Sequence, residues 1–202
     1  MRQTVKKMRP ILSVLMCTVP SRVRNFLPDA IENLNKQCQR AEAELIYLGD
    51  NKRMTVGEKR NWLLDMASGE YVVFVDDDDQ LSPDYIESIL EAIKLYPDAA
   101  CFGIGGHKTH DLAPECLFNF DPSHGKSHKG LNNGGKRSMN WLPNHICVWK
   151  YEYATRVKFP NKSLGEDHFW ADEQYRLGYS FVKIDKDLYT YNSGKWTETR
   201  MR

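Results

Sequence analysis

The sequence of 202 residues has no run of about 18 consecutive apolar residues, the length that a transmembrane helix needs. Its first apolar stretch, Ile11 to Cys17, follows a basic beginning and fits a first β-strand better than the core of a signal peptide. A formal net charge of +1 gives no electrostatic reason to expect nucleic acid or an anionic membrane as partner, although a local basic patch is compatible with it.

The sequence also lacks any pair of cysteines in a Cys-x-x-Cys spacing. Its five cysteines are widely separated and odd in number: Cys17, Cys38, Cys101, Cys116 and Cys147. This pattern argues against a disulfide framework and against a zinc knuckle. We therefore expect a cytoplasmic protein.

Short apolar runs alternate with helical patterns in the first half of the sequence. The pattern predicts strands over residues 11–16, 45–48, 71–75 and 99–104, and helices over residues 26–39, 58–66 and 83–95. Ser82 and Pro83 are typical of the cap and the first turn of the last of these helices. This order predicts an α/β fold in which a parallel sheet carries helices on its faces.

Residues 103–140 differ in character, because they are rich in Gly, Asn, Ser, Lys and His and have no convincing period. We predict a long irregular loop there, with at most a short strand or two. Beyond it the pattern predicts a strand over residues 145–149, a short helix over 151–156, a helix between Gly165 and Gly178, and closing strands over 181–184 and 188–191. We expect one domain over residues 1–202.

Four consecutive aspartates, Asp76 to Asp79, follow the predicted strand 71–75 directly. In open α/β sheets ligands bind at the carboxyl ends of strands, and carboxylate oxygens suit magnesium, manganese or calcium. The alternative is a solvated acidic turn that caps the next helix. An EF-hand is excluded, because the sixth loop position lacks glycine and a strand precedes the aspartates. Alternate residues of an extended chain point the same way, so the sequence leaves open whether Asp76 and Asp78 or Asp77 and Asp79 face a ligand.

The stretch VFVDDDDQLSPDYI, residues 73–86, resembles the Asp-x-Asp segment of the GT-A glycosyltransferases, specifically the family-2 type. The resemblance implies a GT-A fold, an α/β/α sandwich with a mostly parallel central sheet. It also implies that Asp78 ligates Mn²⁺ or Mg²⁺ bridging the donor's diphosphate and that Asp76 lies near the ribose or the metal. We include Asp77 among the donor-binding residues.

Two other segments resemble the family's donor site. LSVLMCTVPSR resembles the first strand and the loop that receives the nucleotide base, which implies base contacts for Thr18, Pro20 and Arg22. Asp50 ends YLGD, where the family often has a carboxylate that accepts from the base, typically uracil.

GEKRN resembles the family's Gly-x-x-Arg-Asn helix start, which faces the donor. Near a helix N-terminus, Lys59 and Arg60 can neutralise a diphosphate, and the backbone amides add to the effect. The alternative is an exposed first helical turn.

The stretch NKSLGEDHFWADEQYRLG resembles the second family signature, Gly-Glu-Asp before a helix. The resemblance implies that Asp167 is the general base of an inverting transfer, which takes the proton of the incoming hydroxyl. Glu166 would hold it in position through hydrogen bonds, while the metal stabilises the leaving diphosphate as a Lewis acid. The alternative is that the pair only caps the helix.

His145 opens a predicted strand, and because related enzymes often add a histidine to the metal or the donor phosphate, we predict it as a third metal ligand. That ligand commonly follows the Gly-Glu-Asp segment, where this sequence has only His168.

Solvated loop histidines are expected at His107, His110, His124 and His128. The basic residues of the same segment would suit an anionic acceptor: Lys108, Lys126, Lys129, Lys136 and Arg137. The tryptophans that either stack on sugar rings or fill the core are Trp141, Trp149 and Trp170.

The resemblance implies a metal-dependent inverting glycosyltransferase that moves a sugar from a nucleotide diphosphate sugar, expected to be a UDP-sugar, to an acceptor hydroxyl. Residues 1–102 would bind the nucleotide-sugar and residues 103–202 the acceptor. The acceptor stays open among glycans, small molecules, proteins and modified nucleic-acid bases. Two alternatives remain: a magnesium-dependent phosphohydrolase or phosphotransferase, whose nucleophile strand usually comes first in the chain, and a sugar- or nucleotide-binding module without turnover.

Overall fold

The computed structural model describes residues 9–23, 27–107, 117–124, 128–131 and 137–191. The strands are, in chain order, β1 (Leu12–Thr18), β2 (Ala43–Gly49), β3 (Tyr71–Asp76), β4 (Gln80–Leu81), β5 (Ala99–His107), β6 (Leu117–Phe120), β7 (His128–Leu131), β8 (Arg137–Trp141), β9 (Val148–Lys150) and β10 (Phe181–Tyr191). The helices are α1 (Pro20–Val23), α2 (Leu27–Cys38), α3 (Val56–Met66), α4 (Tyr85–Ile93), α5 (Tyr151–Ala154) and α6 (Glu166–Leu177).

All ten strands belong to one mixed sheet, with β2, β1, β3, β9, β5, β6, β8 and β7 as successive neighbours and β10 paired with β5 and β4. The long ladders are the parallel ones: β1 lies between β2 and β3, and β10 runs beside β5. The short strand β9 joins β3 to β5 by antiparallel pairing. The α/β class and the mostly parallel sheet are therefore as predicted.

Strand β3 lies at the centre of the core. Its first five residues, YVVFV, are all buried, so both faces of the sheet are covered here, as in parallel sheets generally. Helix α2 packs on β2 and contacts α4, whereas α3 packs on β1 and β2 and contacts α6. The carboxyl end of β3 then leads directly into the acidic cluster.

Local sequence signals place the two helices that matter for the site. Helix α3 begins with a capping box, in which the Thr55 hydroxyl accepts from the Glu58 amide at 3.1 Å and the Glu58 carboxylate accepts from the Thr55 amide at 3.3 Å. Helix α6 begins after Gly165, whose φ of 71° is left-handed and favours glycine. Glu166 and Asp167 consequently occupy the first turn of α6.

The prediction of an irregular loop over residues 103–140 is wrong for the part of it that the structure describes. Strand β5 continues to His107, and β6, β7 and β8 follow, with β6 pairing to both β5 and β8. Strand pairing satisfies the backbone of polar, glycine-rich residues without an apolar period, so the composition was misleading. Five residues named above lie outside the described residues: Lys108, His110, Cys116, Lys126 and Lys136.

Three element boundaries also differ from the predictions. The closing strands form one strand, β10, whose register against β5 shifts after Ile184. The predicted strand 145–149 begins only at Val148, and His145 lies in the preceding turn. Helix α4 begins at Tyr85, and Ser82 contributes its carbonyl to the preceding turn instead of capping the helix.

No helix in the described part of the chain combines the length and the apolarity that crossing a membrane requires.

Gly57, in the first turn of α3, packs directly against backbone. Its amide donates to the Lys162 carbonyl at 3.0 Å, and a Cβ at this position would lie 2.0 Å from the Pro160 carbonyl oxygen. We expect Gly57→Ala to lower the free energy of unfolding by about 1–3 kcal/mol through overpacking, although alanine is the better helix former. Urea unfolding checks this, with Met66→Ala on the exposed last turn of α3 as control. A Gly57→Ala protein as stable as the native one would contradict the contact.

Candidate active site

A cavity of about 400 Å³ lies at the carboxyl ends of β1 and β3 and extends to the first turn of α6. It brings together most of the predicted site residues: Thr18, Arg22, Lys59, Arg60, Asp76, Asp78, His145, Glu166 and Asp167. The other three, Pro20, Asp50 and Asp77, lie outside its lining. Residues from both halves of the chain therefore meet in one place.

Arg22 compensates two of the four adjacent aspartates. Its guanidinium contacts Asp77 at 2.6 Å and forms a two-pronged ion pair with Asp78, at 3.1 and 2.8 Å. The Thr18 hydroxyl donates to the second Asp77 oxygen at 2.6 Å. Burial raises the pKa of Asp78 to about 7; Arg22 opposes the shift, whereas Asp76 and Asp77 add to it. Arg22 and Thr18 are thus tied to the acidic cluster itself.

Asp76 and Asp79 have different partners. The Tyr189 hydroxyl donates to Asp79 at 2.6 Å and accepts from the Asp76 amide at 3.0 Å. Asp76 lies 3.6 Å from the Arg60 guanidinium and 3.7 Å from His145 Nε2. Burial alone would raise the pKa of Asp76, but Arg60, Arg22 and the other basic groups around it hold it well below its usual range. Of the two frames that the sequence left open, the structure turns Asp76 and Asp78 into the cavity.

Lys59 and Asp50 form a buried ion pair beneath the cavity. The Lys59 ammonium lies 2.9 Å from Asp50 and donates to the Thr18 carbonyl at 3.0 Å. The other Asp50 oxygen accepts from the amides of Arg53 and Met54. Burial opposes ionisation of Asp50, but Lys59 and these amides together lower its pKa. The pair therefore fixes the loop after β2 against β1.

The N-terminus of α3 does not offer free amides, contrary to the expectation that its amides contact a diphosphate. The Val56 amide donates to the Ser163 hydroxyl at 3.2 Å, the Gly57 amide to the Lys162 carbonyl, and the Glu58 amide to the Thr55 cap. The capping box and the packing of residues 160–163 occupy these donors. The residues of α3 that line the cavity are Val56, Lys59 and Arg60.

Arg60 is the most connected side chain of the site and is 4% exposed. It donates to Glu166 at 2.5 Å and to His145 Nε2 at 2.8 Å. The rings of Phe74 and Phe159 lie 5.8 and 5.5 Å from its guanidinium carbon, within cation–π range. Burial would lower the pKa of Arg60, but its carboxylate neighbours raise it, so the residue is a permanent buried cation.

Asp167 faces the cavity from the first turn of α6, with 22% of its side chain exposed. Burial would raise its pKa, but Arg60, the other basic groups around it and the His168 amide lower it, so the carboxylate is ionised at neutral pH. Glu166 points to Arg60 instead of into solvent. The two carboxylates of the Gly-Glu-Asp segment thus have different surroundings.

Among the predicted aromatic residues, only Trp141 lines the cavity, and its ring contacts that of His168. Trp149 and Trp170 lie in the core, where their rings contact each other edge to face. Sequence reasoning missed Tyr189, which the strand pattern presents as an ordinary buried position. It also missed Asn144, whose side chain accepts from the Ile146 amide and shapes the turn that carries His145.

Residues 25–115 match the family model described as "Glycosyl transferase family 2". The glycosyltransferase GlyA of Streptococcus pneumoniae is 25% identical over 86% of this chain. The structure of TarS residues 1–349 from S. aureus in complex with UDP-GlcNAc superimposes with a TM-score of 0.62 over 92% of this chain, at 15% identity. The chain thus has the GT-A fold, and its residues 25–115 resemble glycosyltransferase family 2.

The chain spans less than half the length of the curated relatives that it matches. It covers 27% of GlyA, and 41% of EpsH from Bacillus subtilis, which is 29% identical over 67% of this chain. It covers 59% of the TarS chain.

The acidic cluster fits a metal ion only if substrate completes the site. Asp76 and Asp78 supply the hard oxygen ligands that Mg²⁺ and Mn²⁺ prefer, and GT-A proteins generally use such a metal. No group of three or more His, Cys, Asp or Glu side chains in the described ranges is arranged to hold a metal by itself. Mg²⁺ is commonly bound by one or two carboxylates together with waters and substrate phosphates. These two carboxylates therefore suit a metal ion that is also ligated by a diphosphate.

The Arg22 ion pairs generate a stability prediction. We expect Arg22→Met to lower the free energy of unfolding at pH 8 by about 3–5 kcal/mol, because it leaves Asp77 and Asp78 buried without a cation. The folded-state pKa of Asp78, already raised to about 7, would rise further, so at pH 5 this carboxyl is protonated in both folded proteins and the loss shrinks as the pH falls from 8 to 5.

Urea unfolding of both proteins at the two pH values measures this effect. Arg176→Met is the matched control, because Arg176 lies exposed on α6, where it pairs with the neighbouring Glu173, and it should change stability by less than about 1 kcal/mol. A loss for Arg22→Met that is the same at both pH values would contradict the compensating role of Arg22.

Proposed function

We propose that this chain transfers a sugar from a nucleotide diphosphate sugar to an acceptor hydroxyl with inversion of configuration, and that the donor is a UDP-sugar. The observation that carries the proposal is the meeting of two separate carboxylate sites in one cavity. Asp76 and Asp78 lie at the end of β3, Asp167 lies at the start of α6, and the buried cation Arg60 lies between them. The TarS neighbours, solved with UDP-GlcNAc and with UDP, support the choice of donor.

An inverting transfer needs a carboxylate that takes the acceptor proton on the side opposite the leaving group. Asp167 has this role in the proposal, because it is ionised and partly open to the cavity. The acceptor oxygen forms the new bond to the sugar, its proton passes to Asp167, and the bond to the diphosphate breaks with its electron pair on the phosphate oxygen. Glu166 holds the first turn of α6 against Arg60.

In the donor half of the cavity, the negative charges of a diphosphate and of the aspartates have to be compensated together. Arg22 is a cation that lines the cavity beside Asp78, so we assign it to the contact with the donor. A magnesium or manganese ion held by Asp76 and Asp78 would supply Lewis-acid stabilisation of the leaving diphosphate. Thr18, Pro20 and Asp50 remain our candidates for the surroundings of the base.

The acceptor side is lined by Trp141, Leu164 and His168, which lie around Asp167. An indole face beside a general base is compatible with a sugar ring as acceptor. The cytoplasmic location also stays part of the proposal, and the free thiols of Cys17, Cys38, Cys101 and Cys147 are compatible with it.

The function is tested with a panel of nucleotide-sugars, each with Mn²⁺, Mg²⁺ or a chelator, by mass spectrometry of the released nucleoside diphosphate. We expect metal-dependent release from a UDP-sugar, lost in Asp78→Ala. Asp167→Asn should lower transfer by about 10²–10⁴-fold, because an amide cannot take the proton. Asp172→Asn, on the exposed side of the same helix, is the matched control and should transfer at the native rate.

Two outcomes would contradict the proposal. Full transfer by Asp167→Asn would remove Asp167 as the base. If the protein neither binds nor cleaves any nucleotide-sugar with any metal, the phosphohydrolase and the binding module are the remaining hypotheses.

A further inference from the structure

The contact between Arg60 and His145 determines which nitrogen of the His145 imidazole carries the proton. Arg60 Nη2 lies 2.8 Å from His145 Nε2. A guanidinium has only donors, so Nε2 is the acceptor of this hydrogen bond. In a neutral imidazole the single proton then resides on Nδ1.

The Nδ1–H group has no hydrogen-bond partner within the described residues, although the side chain is 4% exposed. Such a buried donor costs free energy unless another group completes its hydrogen bond. The carboxylate that it faces is that of Asp167, whose Oδ2 lies 3.8 Å away. Both residues line the cavity, so substrate would contact the same place.

We propose that His145 is a positioning residue for Asp167, a role that rests on the proposed transfer reaction. When substrate fills the cavity, Nδ1–H donates to Asp167 Oδ2 and holds the carboxylate, while Oδ1 stays free for the proton of the acceptor hydroxyl. Hydrogen bonds of catalytic groups are often long without substrate and shorten in the complex. A movement of about 1 Å by the Asp167 side chain closes the present gap to hydrogen-bond length.

The contacts that hold the backbone and ring of His145 suit a positioning role. Its carbonyl accepts from the Phe74 amide of β3 at 3.1 Å, and the Asn144 side chain closes the turn by accepting from the Ile146 amide at 3.0 Å. The imidazole edge also packs on the Phe74 ring. Backbone and ring are therefore fixed before any substrate arrives.

This role replaces the metal-ligand role that the sequence suggested for His145. The Nε2 lone pair, which a metal would need, accepts from Arg60. Nδ1 carries the proton and faces Asp167 instead of the Asp76 and Asp78 pair. Contacts from Arg60 through the His145 ring to Asp167 thus connect the carboxylates at the end of β3 to the proposed base.

Two substitutions test the roles of the two ring nitrogens separately. Asparagine places an amide N–H near the position of Nδ1, and glutamine places an amide oxygen near Nε2. His145→Gln therefore keeps the acceptor for Arg60 and loses the donor to Asp167, whereas His145→Asn does the reverse. UDP-GlcNAc is the probe, and hydrolysis measured as UDP release requires no acceptor other than water.

We expect kcat to fall about 10- to 100-fold in His145→Gln and to be largely rescued in His145→Asn, with KM for UDP-GlcNAc and the melting temperature similar in both. Equal losses of kcat in the two variants, or no loss in either, would overturn the proposal. A rise in KM with kcat unchanged would place His145 on the donor and would overturn it as well.

The tautomer gives a readout that needs no turnover. Long-range ¹H–¹⁵N spectra of ¹⁵N-labelled native protein at pH 7.5, with the His145 signals identified by their loss in His145→Gln, should show a neutral ring protonated at Nδ1. A ring protonated at Nε2, or at both nitrogens, would overturn the proposal. A protein with the expected tautomer that hydrolyses no nucleotide-sugar would contradict the proposed function and leave the hydrogen-bond geometry intact.

Discussion

The buried charge of Arg60 is the constraint on which the rest of the site depends. A guanidinium that is 4% exposed must be surrounded by acceptors, because an unpaired buried cation would cost several kcal/mol. Glu166 from α6, His145 from the turn before β9 and Asp76 from the end of β3 supply them. One side chain of α3 therefore sets the distance between the two acidic sites. Lysine could not replace it, because an ammonium lacks the planar fork that reaches several partners at once.

Charge compensation also explains how four adjacent aspartates coexist. Each has a partner: Arg22 for both Asp77 and Asp78, Arg60 near Asp76, and Tyr189 for Asp79. The protein thus stabilises the cluster through its own groups before any cation arrives. Arg22 then has two possible sets of neighbours, the aspartates in this structure and the phosphates of a donor, and a metal ion at Asp78 would favour the second. Donor and metal binding are expected to be coupled for this reason.

Much of this site could be predicted from the sequence, because local patterns specify where strands end. The aspartates directly after YVVFV and the acidic pair after Gly165 had to lie at a strand end and a helix start, and both do. Three features could not be predicted, since they depend on contacts between distant residues. The donors of the α3 N-terminus are occupied by residues 160–163, Arg22 pairs across 55 residues with Asp77, and His145 lies in a turn shaped by Asn144. The strands over residues 117–141 were missed because composition alone does not reveal backbone pairing.

The Tyr189 hydroxyl has a consequence for how the protein is made. It bridges the Asp76 amide and the Asp79 carboxylate over sequence separations of 113 and 110 residues. Contacts of such separation form late, because the intervening chain must first lose its freedom. On the ribosome, the aspartate turn is synthesised long before β10, so it remains without Tyr189 until that strand pairs with β5. A nascent chain therefore carries an incomplete acidic cluster, and the donor binding proposed above would have to wait for the synthesis of β10.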